Sequence, residues 1–385
     1  MTAMKNMPQA TKPAFSESEL AEFASKGRQI LALLKSKGLY KPLKTYPARL
    51  EEGRITYGEG RPITAFEKFL GYYDKIANIA NSPSISIVTD FSVARCFCKY
   101  VSAAGMDRVV LDGESDERYT KRSVKALDKF REITGVEGSF QFSIVRVKKY
   151  SKAKGLGESA AVAEATSRAL VGNVFGDAAA KDNEYVSRFA RLVSGSGTRA
   201  ATGGMSIWAS FPGIGEAECY AARLPVDTSK LHFAVFPDFH NIQTMDAHGI
   251  ASSSEFYATW IKNKYDRVLK LIGAGFDLED LMRYAQADTF RLRALLMSGG
   301  VAIDTEKSLS LINAVSSFQQ GGGRVWLTAD TGPSIVVMSD DKDELDAFVS
   351  GQRSRPIYGH VPELTGLSPD AAAMAKATDF FNSIR

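Results

Sequence analysis

The stretch KGLGESAA, Lys154 to Ala161, restricts the fold more than any other segment. It follows SFQFSIVRVKKY, which alternates apolar and polar residues as a half-buried strand does, and it opens SAAVAEATSRALVG, whose spacing is helical. A strand, a glycine loop and a helix start in succession gather unpaired backbone N–H groups and the positive end of a helix dipole, where an anion can be held. A glycine turn before a helix is common, so this layout fits either a plain connection or a phosphate loop. Glu158 complicates the second possibility. At a helix N-terminus a carboxylate gains up to about 1 kcal/mol from the dipole. It also repels a triphosphate: like charges ~4 Å apart in a partly buried site oppose each other by about 4 kcal/mol, roughly a thousandfold in affinity unless a metal intervenes. A magnesium ligand is the rival role for this carboxylate.

The surrounding pattern is mixed. SISIVTDF alternates like a strand, RYTKRSVKALDKFREIT is helical, LHFAVFPDF is a fresh strand after the turn-prone LPVDTSK, and RVWLTAD follows Gly321, Gly322 and Gly323 as another. Long helical patterns cover 252–272 and 305–319, and SPDAAAMAKATDFFNSIR predicts a last helix with Ser368 as N-cap and Pro369 in its first turn. The expected class is α+β. A chain of 385 residues, 44% apolar, is long enough for two domains. The expected division is an extension over 1–53, one domain over 54–230 and a second over 231–385. Residues 1–15 are polar and predicted to fray. Ser16 and Glu19 then form a capping box ahead of an apolar stripe, Leu20, Phe23, Ile30, Leu31 and Leu34, which is expected to pack on the body of the protein.

Charge narrows the partners. The 48 basic and 44 acidic residues are scattered, so the net +4 points to neither a nucleic-acid nor a membrane surface and leaves small anionic ligands. No apolar run approaches the ~18 residues of a membrane span. Cys96, Cys98 and Cys219 form no paired framework, and no secretory leader opens the chain, so a reduced, cytoplasmic setting is expected. Cys96 and Cys98 share one face of a strand as a metal pair could, yet without a second pair or a nearby histidine they read as core. His232, His240, His248 and His360 lack ligand spacing, and a structural role is expected of each.

KGLGESAA resembles the GLxSSAA loop of the GHMP kinase superfamily, where that loop holds the ATP phosphates; Glu158 stands for the first serine, Ser159 keeps the second. Four more segments resemble the mevalonate-type decarboxylase branch in the branch's order, over about residues 54 to 340. KFLGYYDKIANIANSPSISI is similar to the KYWGKRD stretch and the serine-rich strand after it. This sets Lys68 on the active-site lysine, Tyr72 where a second lysine helps hold a diphosphate, and Ser84 among the substrate contacts. RSVKALDKF resembles the helix whose arginine grips the terminal phosphate, nominating Arg122. RLVSGSGTRAATGGMSIW resembles the SGSACRS loop, which nominates Ser194, Ser196 and Arg199, and TADTGPS resembles TFDAGPN, which puts Asp330 on the essential aspartate. Taken singly, each has an ordinary explanation: Lys68 and Arg122 as solvated charges, SGSG as a flexible turn, Asp330 as a turn closer.

The resemblance implies the two-domain GHMP-kinase-like architecture, a ribosomal protein S5 domain 2-like N-terminal domain and a ferredoxin-like α+β C-terminal domain, with the active site in the cleft between them. It implies a homodimer, a phosphorylated mevalonate as the substrate and, in the chemistry, loss of phosphate and CO₂ through positive charge at C3. Asp330 would face that charge, Arg199 the carboxylate, and Lys68 the departing phosphate or Asp330 itself. Tyr72 weakens the diphosphate clamp and Gly155, Gly157, Glu158 and Ser159 form a degenerate phosphate loop. NIQTMDAHG, 241–249, lacks the basic residue that assists diphosphate binding in relatives. These departures favour the archaeal, ATP-independent kind that converts mevalonate 3,5-bisphosphate to isopentenyl phosphate, with no cofactor and no metal. The alternatives are an ATP-dependent decarboxylase of a phosphomevalonate or diphosphomevalonate, a mevalonate 3-kinase, and a noncatalytic binding relative. The 1–53 helix is expected to cover part of the abandoned nucleotide site.

Overall fold

The computed structural model describes residues 15–115, 117–240, 244–364, 369 and 371–383. In chain order the first half runs α1 (Glu17–Ser36), β1 (Ile55–Gly60), β2 (Ile63–Glu67), β3 (Tyr72–Asp74), β4 (Ile79–Ala80), β5 (Ser84–Val88), β6 (Ser92–Val101), β7 (Arg108–Leu111), β8 (Glu114–Ser115), α2 (Glu117–Thr134) and β9 (Ser139–Lys148). It continues with α3 (Glu158–Phe175), α4 (Asp177–Ala180), α5 (Asn183–Val193), α6 (Gly197–Thr202), β10 (Met205–Trp208) and β11 (Ala221–Arg223). The second half comprises β12 (His232–Phe236), α7 (Thr244–Ser253), α8 (Tyr257–Ala274), α9 (Leu278–Ser298), α10 (Glu306–Gln320), β13 (Trp326–Thr328), β14 (Ile335–Ser339), α11 (Lys342–Ser350), β15 (Ile357–Gly359) and α12 (Ala371–Ser383).

The class is α+β. Strands up to β11 pair among themselves, as a sheet ordered β1-β6-β9-β7-β8, a second ordered β11-β10-β5-β2 and the small hairpin β3-β4. Strands from β12 onward form a third sheet, β13-β14-β12-β15. One apolar core runs through both halves, from Ile85 and Trp208 to Phe233, Tyr257 and Leu292.

The Ala-rich helix α3 owes its composition to what it touches. It is buried around nearly its whole circumference, and it lies on β1 so closely that a Cβ at Gly58 would overlap the Ala165 carbonyl and one at Gly60 the Ala161 carbonyl. Its buried charges pair internally: Arg168 donates to Glu164 at 2.9 Å and to the Ala180 carbonyl at 2.7 Å. Cys96 and Cys98 are buried on β6, and all three cysteines are free.

Helix α1 has the capping box in place, Ser16 N–H to Glu19 at 2.7 Å and Glu19 N–H to Ser16 Oγ at 3.3 Å. Phe15, expected to fray, is instead buried and stacked on Tyr257. The helix does not lie on the glycine loop. Its ion pairs and ring contacts go to α8 and to the 211–220 segment: Phe23 stacks on Tyr265, Lys26 pairs with Asp266, Lys35 with Glu218, and Gly27 admits the Phe211 ring. The expected cover over a nucleotide site is therefore corrected; α1 clasps the two halves together elsewhere.

The 252–272 pattern divides into α7 and α8, interrupted at Ser254, whose Oγ receives the Phe256 N–H at 3.2 Å. Helix α9 was not foreseen, because Asp288, Thr289 and Arg293 interrupt its buried apolar face. It packs against both β13 and β2, joining the halves at the end of β2. The predicted N-cap Ser368 lies outside the described residues; α12 follows it. No helix among the described residues is long and apolar enough to cross a membrane.

Gly60→Ala is expected to lower unfolding free energy by about 1–3 kcal/mol through overpacking of α3 on β1; urea denaturation would show it, and an unchanged midpoint would mean that the two elements can part without cost.

Candidate active site

Lys68 emerges from the end of β2 and is 4% exposed. Its backbone N–H donates to Asp288 Oδ2 at 2.9 Å, and its Nζ donates to Thr328 Oγ1 at 3.0 Å and Thr289 Oγ1 at 3.3 Å, with Asp288 3.7 Å away. Asp288 also receives Lys264 Nζ at 2.9 Å and lies 3.5 Å from Arg267, while Lys264 pairs in turn with Glu67. Burial pushes the Asp288 carboxyl up, but Lys264, Lys68 and Arg267 outweigh it and bring it down to about 2. Glu67, raised by burial and by Asp288 itself, is the carboxyl of the pair that protonates first. Burial lowers the Lys68 ammonium below its usual range against the pull of Asp288 and Asp330.

Asp330 follows β13 at a turn fixed by Arg293, whose Nη1 donates to the Asp330 carbonyl at 2.7 Å and Nη2 to the Gly332 carbonyl at 2.9 Å. Burial raises the Asp330 carboxyl above the ordinary aspartate range, opposed by Lys68, Arg199, the Ala65 N–H and Arg293. Arg199, on the short α6, is 2% exposed. Among the described residues no group accepts from its Nε or Nη1, and its guanidinium lies 5.3 Å from the centroid of Phe69. Burial brings it down to about 10 despite Asp330 and Tyr72. A buried, cationic fork with two N–H groups unsatisfied by the protein is chemically fitted to a carboxylate or phosphate.

Ser194 and Ser196 share a hydrogen bond, Oγ to Oγ 2.9 Å. Between them Gly195 packs against Phe69, Tyr72 and Trp208, where any Cβ would come within 3.0–3.2 Å of these side chains. Burial raises the Tyr72 phenol, with Arg122 and Arg199 opposing. Arg122 on α2 donates from Nε to the Val193 carbonyl at 2.6 Å. Thus Lys68 and Arg199 each act on Asp330, and Tyr72 links Arg122 and the 194–196 turn to Arg199. Ser84 stands apart: its Oγ is buried on β5, without a partner among the described residues and hydrogen-bonded to none of the site residues.

The glycine loop keeps its shape. Gly155 and Gly157 have φ of +83° and +69°, in the left-handed region, and Gly155 abuts Gly332 backbone to backbone. Its charge is already spent. Glu158 receives Lys148 Nζ at 2.7 Å, Tyr150 Oη at 2.8 Å and Arg146 Nη1 at 3.2 Å, so two cations of the preceding strand, one of them at its end, are paired within the protein. Ser159 is partly exposed behind it. Among the described residues no cluster of three or more His, Cys, Asp or Glu could hold a metal.

Sequence reasoning missed Asp288, Thr289, Arg293 and Lys264, for which no local pattern exists, and gave no role to Thr328, although it opens TADTGPS. It also gave His248 an ordinary structural role, whereas its ring stacks on Tyr72 at 5.2 Å and accepts the Gly71 N–H on Nδ1 at 2.8 Å.

Residues 61–221 match the diphosphomevalonate decarboxylase-like N-terminal domain. The chain is 46% identical over 344 residues, 89% of its length and 85% of the relative's, to mevalonate 3,5-bisphosphate decarboxylase of Thermoplasma acidophilum. It is 44% identical over 328 residues, 85% of its length and 88% of the relative's, to the protein of that name from Thermoplasma volcanium. Among solved structures, mevalonate diphosphate decarboxylase from Enterococcus faecalis aligns with a TM-score of 0.68 at 20% identity, over 80% of this chain and 97% of that one. Mevalonate-3-kinase from Thermoplasma acidophilum aligns at 0.66 and 16% identity, over 81% and 97%. The two structures share this chain's fold.

Two outcomes are expected. Asp288→Asn leaves Lys68 and Lys264 short of an anion and should cost about 3–5 kcal/mol in urea unfolding, the usual result of breaking a buried pair; a loss under about 1 kcal/mol would show the network to be dispensable. Glu158→Ser removes the carboxylate and frees Lys148, and should raise ATP affinity at least about tenfold by calorimetry, whereas no gain would mean that something other than this carboxylate excludes nucleotide.

Proposed function

We infer the activity from the family to which the chain belongs, the diphosphomevalonate decarboxylase-like proteins: it converts mevalonate 3,5-bisphosphate to isopentenyl phosphate, CO₂ and inorganic phosphate without ATP. Both close relatives carry that decarboxylase's name. The observation that carries the ATP-independent form is Glu158, held by Lys148, Tyr150 and Arg146 where a nucleotide phosphate would need those cations. It weighs against an ATP-dependent decarboxylase and against a 3-kinase.

The chemistry follows from charge. As the C3–O bond breaks, its electrons leave with phosphate; the electrons of the bond to the carboxylate form the double bond, and CO₂ departs. Positive charge develops at C3 between the two events, and a fixed anion in a buried setting stabilises it most. Asp330 supplies that anion. Arg199 presents its unsatisfied N–H groups to the carboxylate and holds it in the plane from which its bond can break. Lys68, braced by Asp288, Thr289 and Thr328, meets the departing phosphate. With phosphate already on the 3-oxygen there is no hydroxyl proton to remove, so Asp330 needs no role as a base. Arg122 and Tyr72 face the second phosphate, and Ser194, Ser196 and Ser84 belong to the same substrate-binding proposal. So do the division at 53/54 and 230/231, a cytoplasmic setting and a homodimer.

Purified protein mixed with mevalonate 3,5-bisphosphate and no nucleotide should release CO₂ and phosphate in equal amounts; release that requires ATP would replace this reading with the ATP-dependent one, and silence under both conditions would remove it. Asp330→Asn should abolish turnover while substrate affinity stays within about tenfold. Because the folded Asp330 carboxyl is raised and its anion is the active form, kcat/KM should fall as pH drops through a value above the usual aspartate range, about tenfold per unit below it.

A further inference from the structure

The cations around the site fall into two sets. Those acting on Asp330 are Lys68, Arg199 and Arg293; those acting on His248 are Arg122 and Lys75. Phe69 touches both sets through its ring, 5.3 Å from Arg199 and 5.8 Å from His248. A substrate with two phosphates flanking one reacting carbon has a departing phosphate at the Asp330 end and a retained one to place at the other.

His248 projects from α7 into that other end. Its ring is stacked on Tyr72 with the planes 24° apart, and its Nδ1 accepts the Gly71 N–H at 2.8 Å. A second proton would have to sit on Nδ1, opposite that N–H, and break the bond. Burial, Arg122 and Lys75 oppose protonation too, and hold the imidazole down to about 4. The ring is thus confined to one tautomer, with hydrogen on Nε2, on the side turned away from Gly71. The tautomer is assigned from the hydrogen bond. Such a ring donates one hydrogen bond and contributes no charge.

We propose that His248 is a specificity-determining residue of this site: its uncharged Nε2–H, beside Tyr72 and Arg122, receives the retained phosphate as a single phosphate and adds no charge to offset a diphosphate's second group. This rests on the bisphosphate reading above and names what limits the second phosphate. A lysine at 248 would supply the missing cation; an asparagine, whose Oδ1 can take the Gly71 N–H, would remove the donor and keep the brace.

Direct calorimetric binding of mevalonate 5-phosphate and mevalonate 5-diphosphate to the full chain and to His248→Asn and His248→Lys tests this without turnover. The unaltered chain should prefer the monophosphate; His248→Asn should weaken monophosphate binding about tenfold with an unchanged melting temperature, and His248→Lys should move the monophosphate-to-diphosphate ratio toward the diphosphate by at least about tenfold. A structural role would weaken both ligands alike and leave the ratio fixed, and that result overturns the proposal, as does a native preference for the diphosphate. Failure of the bisphosphate to release CO₂ would instead strike the proposed reaction, because the ratio is read on ligands that do not react.

Discussion

The carboxylate of Asp288 is the interaction on which the site depends. It is fully buried in α9 and takes the backbone N–H of Lys68, the ammonium of Lys264 and, at longer range, the Lys68 ammonium and the Arg267 guanidinium. A buried anion is costly unless it is paired and hydrogen-bonded, and here both conditions are met. Because the two oxygens bind different elements, the end of β2, α8 and α9 must meet for the charge to be satisfied at all. The same geometry leaves the Lys68 ammonium with two threonine hydroxyls and a share of one carboxylate, so that it is oriented yet retains charge for a second anion.

At the glycine loop the opposite solution operates. Where relatives of this architecture could recruit an outside anion to a helix start, this chain carries its own. Glu158 closes a small circuit with Lys148, Arg146 and Tyr150 at the junction of β9 and α3, and Asp112 takes the other side of Arg146 at 2.6 Å. The helix dipole and the glutamate favour each other, so the loop is stable without a ligand. One end of the molecule is electrostatically complete, while the other, at Arg199, is not.

Much of this was legible locally. The capping box of α1, the buried Ala-rich helix after the glycine loop and the alternating strands are short-range patterns, and the order of KFLGYYD, RSVKALDKF, RLVSGSGTR and TADTGPS pointed to Lys68, Arg122, Arg199 and Asp330. Residues that act through tertiary pairing were not legible. Lys68 and Asp288 are 220 positions apart, and the polar side chains that make α9 useful are the ones that disguise its apolar face. His248 looked isolated because its partners, Gly71, Tyr72 and Arg122, come from other elements. The expected placement of α1 failed for a related reason: an apolar stripe predicts that a face is covered, and only the arrangement of Phe211, Tyr257 and Tyr265 decides by what.

The contact between Gly155 and Gly332 joins a loop of the first half to the turn that presents Asp330, main chain against main chain. Methyl groups at these points would wedge the two apart and displace the aspartate. The small residues of the loop therefore answer to a neighbour within the protein. Glycine at these two positions is a requirement of the architecture itself, whatever else the loop meets.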